Sequence, residues 1–170
     1  FDPAGSYLAS SGDDPAVCIW RAHDDWGLEA RIDSGIFRQW KDDDASTQSL
    51  FRRISWSTDG AFVVATNAIV KNKHVASTIS REGWAVAGSN QLTAGAANLV
   101  GHKQPVVVSR HSSSLINMRK KGEHVGDDDE DDLPEYATLL ALGDRRGFVT
   151  VWSTRKSRPI FKLQCSESRC

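Results

Sequence analysis

The sequence predicts an all-β chain built from repeated, short antiparallel sheets. Three observations carry that reading. The stretches "LASSGDDPAVCIW" (Leu8 to Trp20) and "LALGDRRGFVTVW" (Leu140 to Trp152) align without a gap, and each ends an alternating apolar run in Trp. "FDPAGSYLAS" at Phe1 also lines up with "WSTDGAFVVA" at Trp56, placing Phe1 on Trp56, Gly5 on Gly60 and Tyr7 on Phe62. No long segment carries the helical period.

The elements follow in order. "YLAS" and "AVCIW" flank "SGDDP", "FVVAT" and "HVASTI" follow "WSTDG", and "TLLAL" and "FVTVW" flank "GDRRG". Each pair reads as a hairpin, with Gly, Asp or Pro supplying the turn. "PVVVSRH" adds a strand before the last hairpin and "PIFKLQ" one after it. Residues 1–35 thus read as part of a first unit. Residues 46–105 form a second unit with a small, polar loop at 83–98. Residues 106–164 form a third, and 165–170 is a tail. The third unit carries a charged insertion at 112–136 whose acidic block cannot bury itself and is expected to be disordered.

Composition excludes several function classes. At 170 residues and 39% hydrophobic the chain is one domain by length with enough apolar side chains for a core. Lys and Arg total 21 against 22 Asp and Glu, so no global field steers it to nucleic acid or to a membrane. No apolar run approaches the roughly 20 residues of a membrane helix. The opening "FDPAG" has neither Met nor a leader-like pattern and reads as an internal segment. Cys18 lies in a strand, while Cys165 and Cys170 can close a small loop in "CSESRC". The odd count favours a reducing, intracellular compartment.

Catalytic chemistry lacks a constellation. His23, His74, His102, His111 and His124 show no spacing to Cys or Asp that suggests a triad. HExxH, paired CxxC and Walker-type motifs are missing, so no catalytic residue, metal or cofactor is expected and the chain reads as non-enzymatic.

Repeats that end an alternating strand in Trp resemble the WD-repeat β-propeller, in which four-stranded blades are stacked around an axis. "VGHKQPVVV" supplies the Gly-His pair of that family as Gly101 and His102, and "DPAVCIW" supplies an Asp, Asp14, six residues before Trp20. Trp56 and Trp152 complete the set of structural blade residues. The resemblance implies a buried hydrogen-bond network of His, Ser or Thr, Asp and Trp in each blade. In the last unit Arg146 stands where that Asp is expected, and Asp144 is two residues early. The middle unit has no Trp closing its third strand and reads "HVASTISREGW" instead. The network is therefore expected to be complete in none of the three units, with the second hairpin held by packing more than by the polar network.

The order of the parts, "FDPAGSYLASSGDDPAVCIWR", "RRISWSTDGAFVVATNA", "SREGW", "LVGHKQPV" and then "RPIF" after "VTVWS", resembles the middle blades of HIRA/Hir-type histone chaperones. The related propeller subunit of chromatin assembly factor is the nearest competitor, and a generic WD-repeat adaptor is the alternative class. The resemblance implies about three of roughly seven blades. It implies a scaffold acting in the nucleus, in replication-independent nucleosome assembly, chromatin organisation and transcription regulation, including repression. Its partners would be other chaperone subunits, and core histones through the complex, with no sequence-specific nucleic acid and no membrane.

Two features are candidate partner contacts. The acidic run Asp127, Asp128, Asp129, Glu130, Asp131 and Asp132 reads either as a screen for basic histones or as a solvated insertion. Trp84 reads either as a rim aromatic that anchors a partner or as packing folded back over a blade edge. "RKK" at Arg119 to Lys121 reads as a minimal import signal or a solvated loop. Fewer than three blades expose edges and faces meant for neighbours, so the chain alone is expected to aggregate or to melt broadly.

Overall fold

In the computed structural model, residues 1–12, 14–37, 52–86, 97–117, 136–154 and 156–165 are described. Alternating apolar and polar residues give thirteen strands among them, and no α-helix. The first sheet is β1 (Tyr7–Ser11), β2 (Val17–Arg21) and β3 (Gly27–Ile32), in that order, followed by a 3-10 turn at Gly35–Phe37. The second runs β4 (Ser55–Trp56), β5 (Phe62–Val70), β6 (Lys73–Ser80) and β7 (Asn98–His102). The third is ordered β8 (Val106–His111), β11 (Leu139–Asp144), β12 (Phe148–Ser153) and β13 (Phe161–Gln164). All pairings within the sheets are antiparallel. The architecture is an incomplete propeller of one three-stranded and two four-stranded blades.

The repeats seen in the sequence recur at the level of single bonds. Leu8 pairs with Trp20 and Ser11 with Val17 in the first hairpin, as Leu140 pairs with Trp152 and Gly143 with Val149 in the last. The turns before β1 and β5 match as well. The Tyr7 N–H donates to Asp2 Oδ1 at 2.8 Å, and the Phe62 N–H donates to Ser57 Oγ at 2.9 Å. Gly5 and Gly60 close these turns with the same φ of 71°, a left-handed conformation that glycine adopts without a Cβ penalty. One turn departs from expectation. Lys71 and Asn72, both at positive φ, link β5 to β6 in a two-residue loop, so neither Gly, Asp nor Pro is used there.

Strand periodicity sends successive side chains to opposite neighbours. Val63, Ala65, Val75 and Ile79 of the second blade pack against Val17, Ile19 and Ile32 of the first, with Phe37 of the 3-10 turn. Val64 and Ala76 point the other way, onto Val106, Leu140, Leu142 and Trp152 of the third. Each such fully buried aliphatic contributes about 1.5–3 kcal/mol. The second and third blades are also joined by backbone. The Arg53 N–H donates to Val107 O at 3.1 Å and the Ser109 N–H to Arg53 O at 2.9 Å, a parallel bridge between the residue that leads into β4 and β8.

The insertion expected to be disordered is ordered at its two ends. β9 (Ile116–Asn117) and β10 (Tyr136–Ala137) pair as a short antiparallel ladder, because β8 and β11 deliver the chain ends side by side. Residues 118–135 lie outside the described residues, as do 87–96 of the polar loop.

Candidate functional site

The most connected polar site crosses from the second blade into the third. His102 ends β7, and its ring is fully enclosed. Its Nε2 lies 2.8 Å from Thr150 Oγ1 and its Nδ1 3.1 Å from Asp144 Oδ2. Trp152 Nε1 donates to the same Thr150 oxygen at 2.8 Å. An indole N–H only donates and a carboxylate only accepts, so a neutral imidazole gives the chain one direction. Trp152 donates to Thr150, Thr150 to His102, and His102 to Asp144. Asp144 Oδ1 also accepts the N–H groups of Arg146 (2.9 Å) and Phe148 (3.0 Å), which fixes the β11–β12 turn.

This corrects the expectation that no unit completes the network and that the last hairpin is held by packing more than by polar bonds. The acid stands eight residues before Trp152, as the first residue of its turn, rather than six. Counting eight back from Trp20 reaches Gly12, and Cys18 occupies the place of Thr150, so the first blade lacks both partners. Asp14 is corrected accordingly. Its exposed carboxylate pairs with Arg31 at 3.1 Å, and its backbone oxygen accepts Arg52 Nη1 at 2.9 Å. Trp20 Nε1 donates to Ser10 Oγ at 2.9 Å instead. Gly101 rests on the Trp152 ring, where an added Cβ would meet Cζ2 at an ordinary 3.5 Å, so space does not demand glycine there.

The second blade uses a different device. Register places Ile79, fully buried, where the other blades carry Trp20 and Trp152. Trp84, five residues on, folds back over the junction with the first blade. Its ring meets Tyr7 edge-on at 5.2 Å and Trp56 at 6.1 Å, and its Nε1 donates to Glu29 Oε1 at 3.4 Å. Trp56 Nε1 is enclosed and finds no acceptor among the described residues. Arg81 crosses the same junction. Its Nη1 donates to the buried Asp2 carboxylate at 3.0 Å, and its guanidinium lies 4.9 Å over the Tyr7 ring. Burial alone would raise the Asp2 pKa, but the Tyr7 N–H and Arg81 more than offset it and hold the carboxyl below its usual value. "SREGW" is therefore an inter-blade clamp, with the half-buried Trp84 packed over the junction.

A cleft of about 420 Å³ opens beside the first strands, lined by Phe1, Trp56, Thr58, Arg110 and His111 among others. His111 Nδ1 lies 2.8 Å from Ser55 Oγ, a pairing that superficially suggests an activated serine. Burial, opposed only by the charge of Asp59, lowers the His111 pKa to about 4, far from the range of an effective base near neutrality. Among the described residues no cluster of three His, Cys, Asp or Glu side chains is placed to hold a metal, and no helix is long and apolar enough to cross a membrane.

No family model matches the chain. It is similar to Protein HIR1 of Cryptococcus neoformans var. neoformans serotype D, 33% identical over 165 residues, which is 96% of this chain and 16% of that protein. It is also similar to Protein HIR1 of Mycosarcoma maydis, 31% identical over 160 residues, 94% of this chain and 13% of the relative. Protein hir1 of Schizosaccharomyces pombe is 30% identical over 164 residues, 96% and 14%. Over these residues the chain is of the Hir/HIRA type. It spans between about an eighth and a sixth of the length of the curated relatives it matches.

For a Hir/HIRA-type segment the inventory of side chains is mainly one of blade assembly. His102, Trp152 and Gly101 meet at the junction of the second and third blades, Trp56 belongs to the first junction, and Trp20 and Asp14 stay apart. Asp127, Asp128, Asp129, Glu130, Asp131 and Asp132, with Arg119 to Lys121, lie outside the described residues. Sequence reasoning missed Thr150 as the centre of the network, and the ion pair that half-exposed Arg81 makes with buried Asp2. An Asp that opens a turn ending in Gly, as Asp144 does before Gly147, is the local signal that identifies the first of these sites.

Proposed function

We propose that this segment is a non-catalytic scaffold portion of a histone chaperone. It serves replication-independent nucleosome assembly, chromatin organisation and transcription regulation in the nucleus. The observation that carries the reading is the similarity to proteins named HIR1 along nearly the whole chain, across all three blades. A scaffold role is supported by the enclosed His102–Asp144 and Arg81–Asp2 contacts, which join blades, and by the weak basicity of the His111 that faces Ser55 on the cleft. Other chaperone subunits are the expected partners, core histones are reached through them, and neither a cofactor nor sequence-specific nucleic acid is required.

The test is affinity purification of the tagged full-length protein from nuclear extract, followed by complementation. Recovery of chaperone subunits, and rescue of histone deposition outside DNA synthesis in cells lacking the endogenous protein, are expected. A cytoplasmic protein that brings down a degradation or signalling complex and leaves histone deposition unchanged would move the segment to the class of general WD-repeat adaptors.

A further inference from the structure

We propose that the β2–β3 turn is a docking surface for a lysine-rich protein segment, with Trp26 as the aromatic anchor and Asp25 as the charged partner. Trp26 is 45% exposed and adopts φ of 61°, directly after Asp25 at φ of 43°. Left-handed backbone at a bulky aromatic is uncommon, and such outliers concentrate at ligand-binding sites. The local geometry enforces it. The Gly27 N–H donates to Asp24 O at 2.7 Å, and Arg21 grips both Asp24 (2.6 Å) and Glu29 (2.7 Å). The turn is thereby held with its partly exposed indole against Phe1 in a T-shaped contact, at 5.7 Å between centroids.

Charge complementarity names the occupant. Arg21 and Arg81 are already used, Arg21 by Asp24 and Glu29 and Arg81 by Asp2. Asp25 and Glu82 are exposed and join no ion pair among the described residues. A partly exposed indole beside a carboxylate outside any ion pair among the described residues suits an ammonium group, which gains both a cation–π contact and a charge-assisted hydrogen bond. This goes beyond the scaffold reading and does not depend on which complex the protein joins.

The experiment titrates a fluorescently labelled lysine-rich peptide, and the same peptide with every lysine acetylated, against the full-length protein and two variants. Trp26→Asn removes the ring but keeps a residue that tolerates left-handed backbone, so its melting temperature should match or exceed that of the parent. It should weaken binding about tenfold. Asp25→Asn should weaken it several-fold and flatten its salt dependence, and acetylation should abolish it. Trp26→Phe, which keeps an aromatic face, should retain most of the affinity and guards against a fold effect. Equal binding by Trp26→Asn, or by the acetylated peptide, would overturn the proposal.

Discussion

His102 on the last strand of the second blade faces Asp144 in the third across 3.1 Å, with both side chains almost fully withdrawn from solvent. The pair turns two adjacent sheets into one unit, since its far side is tied through Thr150 to Trp152. Removing the acid would strand the imidazole and release the N–H groups of Arg146 and Phe148. Asp144→Ala in the full-length protein is therefore expected to cost about 3 kcal/mol of unfolding free energy, read by urea denaturation. Arg146→Ala and Asp14→Ala, both at exposed turn positions, should each change it by less than about 0.5 kcal/mol. Equal effects at positions 144 and 146 would remove Asp144 as the acid of the network.

Trp84 should behave as a core residue despite lying beyond its strand. Trp84→Ala removes the ring shared by Tyr7 and Trp56 and the donor to Glu29, and should cost about 3–5 kcal/mol in the same assay. A partner-contact role would instead leave stability intact and lower only complex recovery.

Acid should loosen the junction of the second and third blades. His111 titrates at about 4 when folded, below its ordinary 6.5, so between those values the unfolded chain binds the proton that the folded chain refuses. Stability from this group is thus constant above about pH 6.5 and falls as the pH drops towards about 4. Burial lowers the pKa of His74 too, which adds to the slope. His111→Phe places an aromatic where the second blade has Trp56 and should reduce the slope of urea midpoint against pH in that window. An unchanged slope would remove His111 as its source.

Apolar faces remain uncovered at the ends of the described stack. Phe161 and Leu163 of β13 are 54% and 47% exposed, beside Val151 and Val149 of β12, and Leu28 of β3 is 48% exposed. Residues 1–170 expressed alone should aggregate or melt broadly, as seen by calorimetry with light scattering. A sharp two-state transition in a soluble monomer would contradict this.

The hairpins and their register were legible because a period of two and a Trp at fixed spacing are local features. Leu8 with Trp20 and Leu140 with Trp152 needed nothing beyond their own segments. The network acid was misplaced because Asp144 acts from the start of its turn, where capping two backbone N–H groups decides its position more than its distance from Trp. Trp84 was undecided because its burial depends on Tyr7 and Glu29 in another blade. Trp26 went unnoticed in "HDDWG" because its exposure follows from a left-handed backbone that sequence pattern does not report.

The most direct test of side-chain locking between blades is a double-mutant cycle of His102→Ala and Asp144→Ala in the full-length protein, read as unfolding free energy. A coupling of about 1.5–3 kcal/mol is expected for a buried, hydrogen-bonded pair. Additive effects, with coupling near zero, would contradict a network that spans the second and third blades.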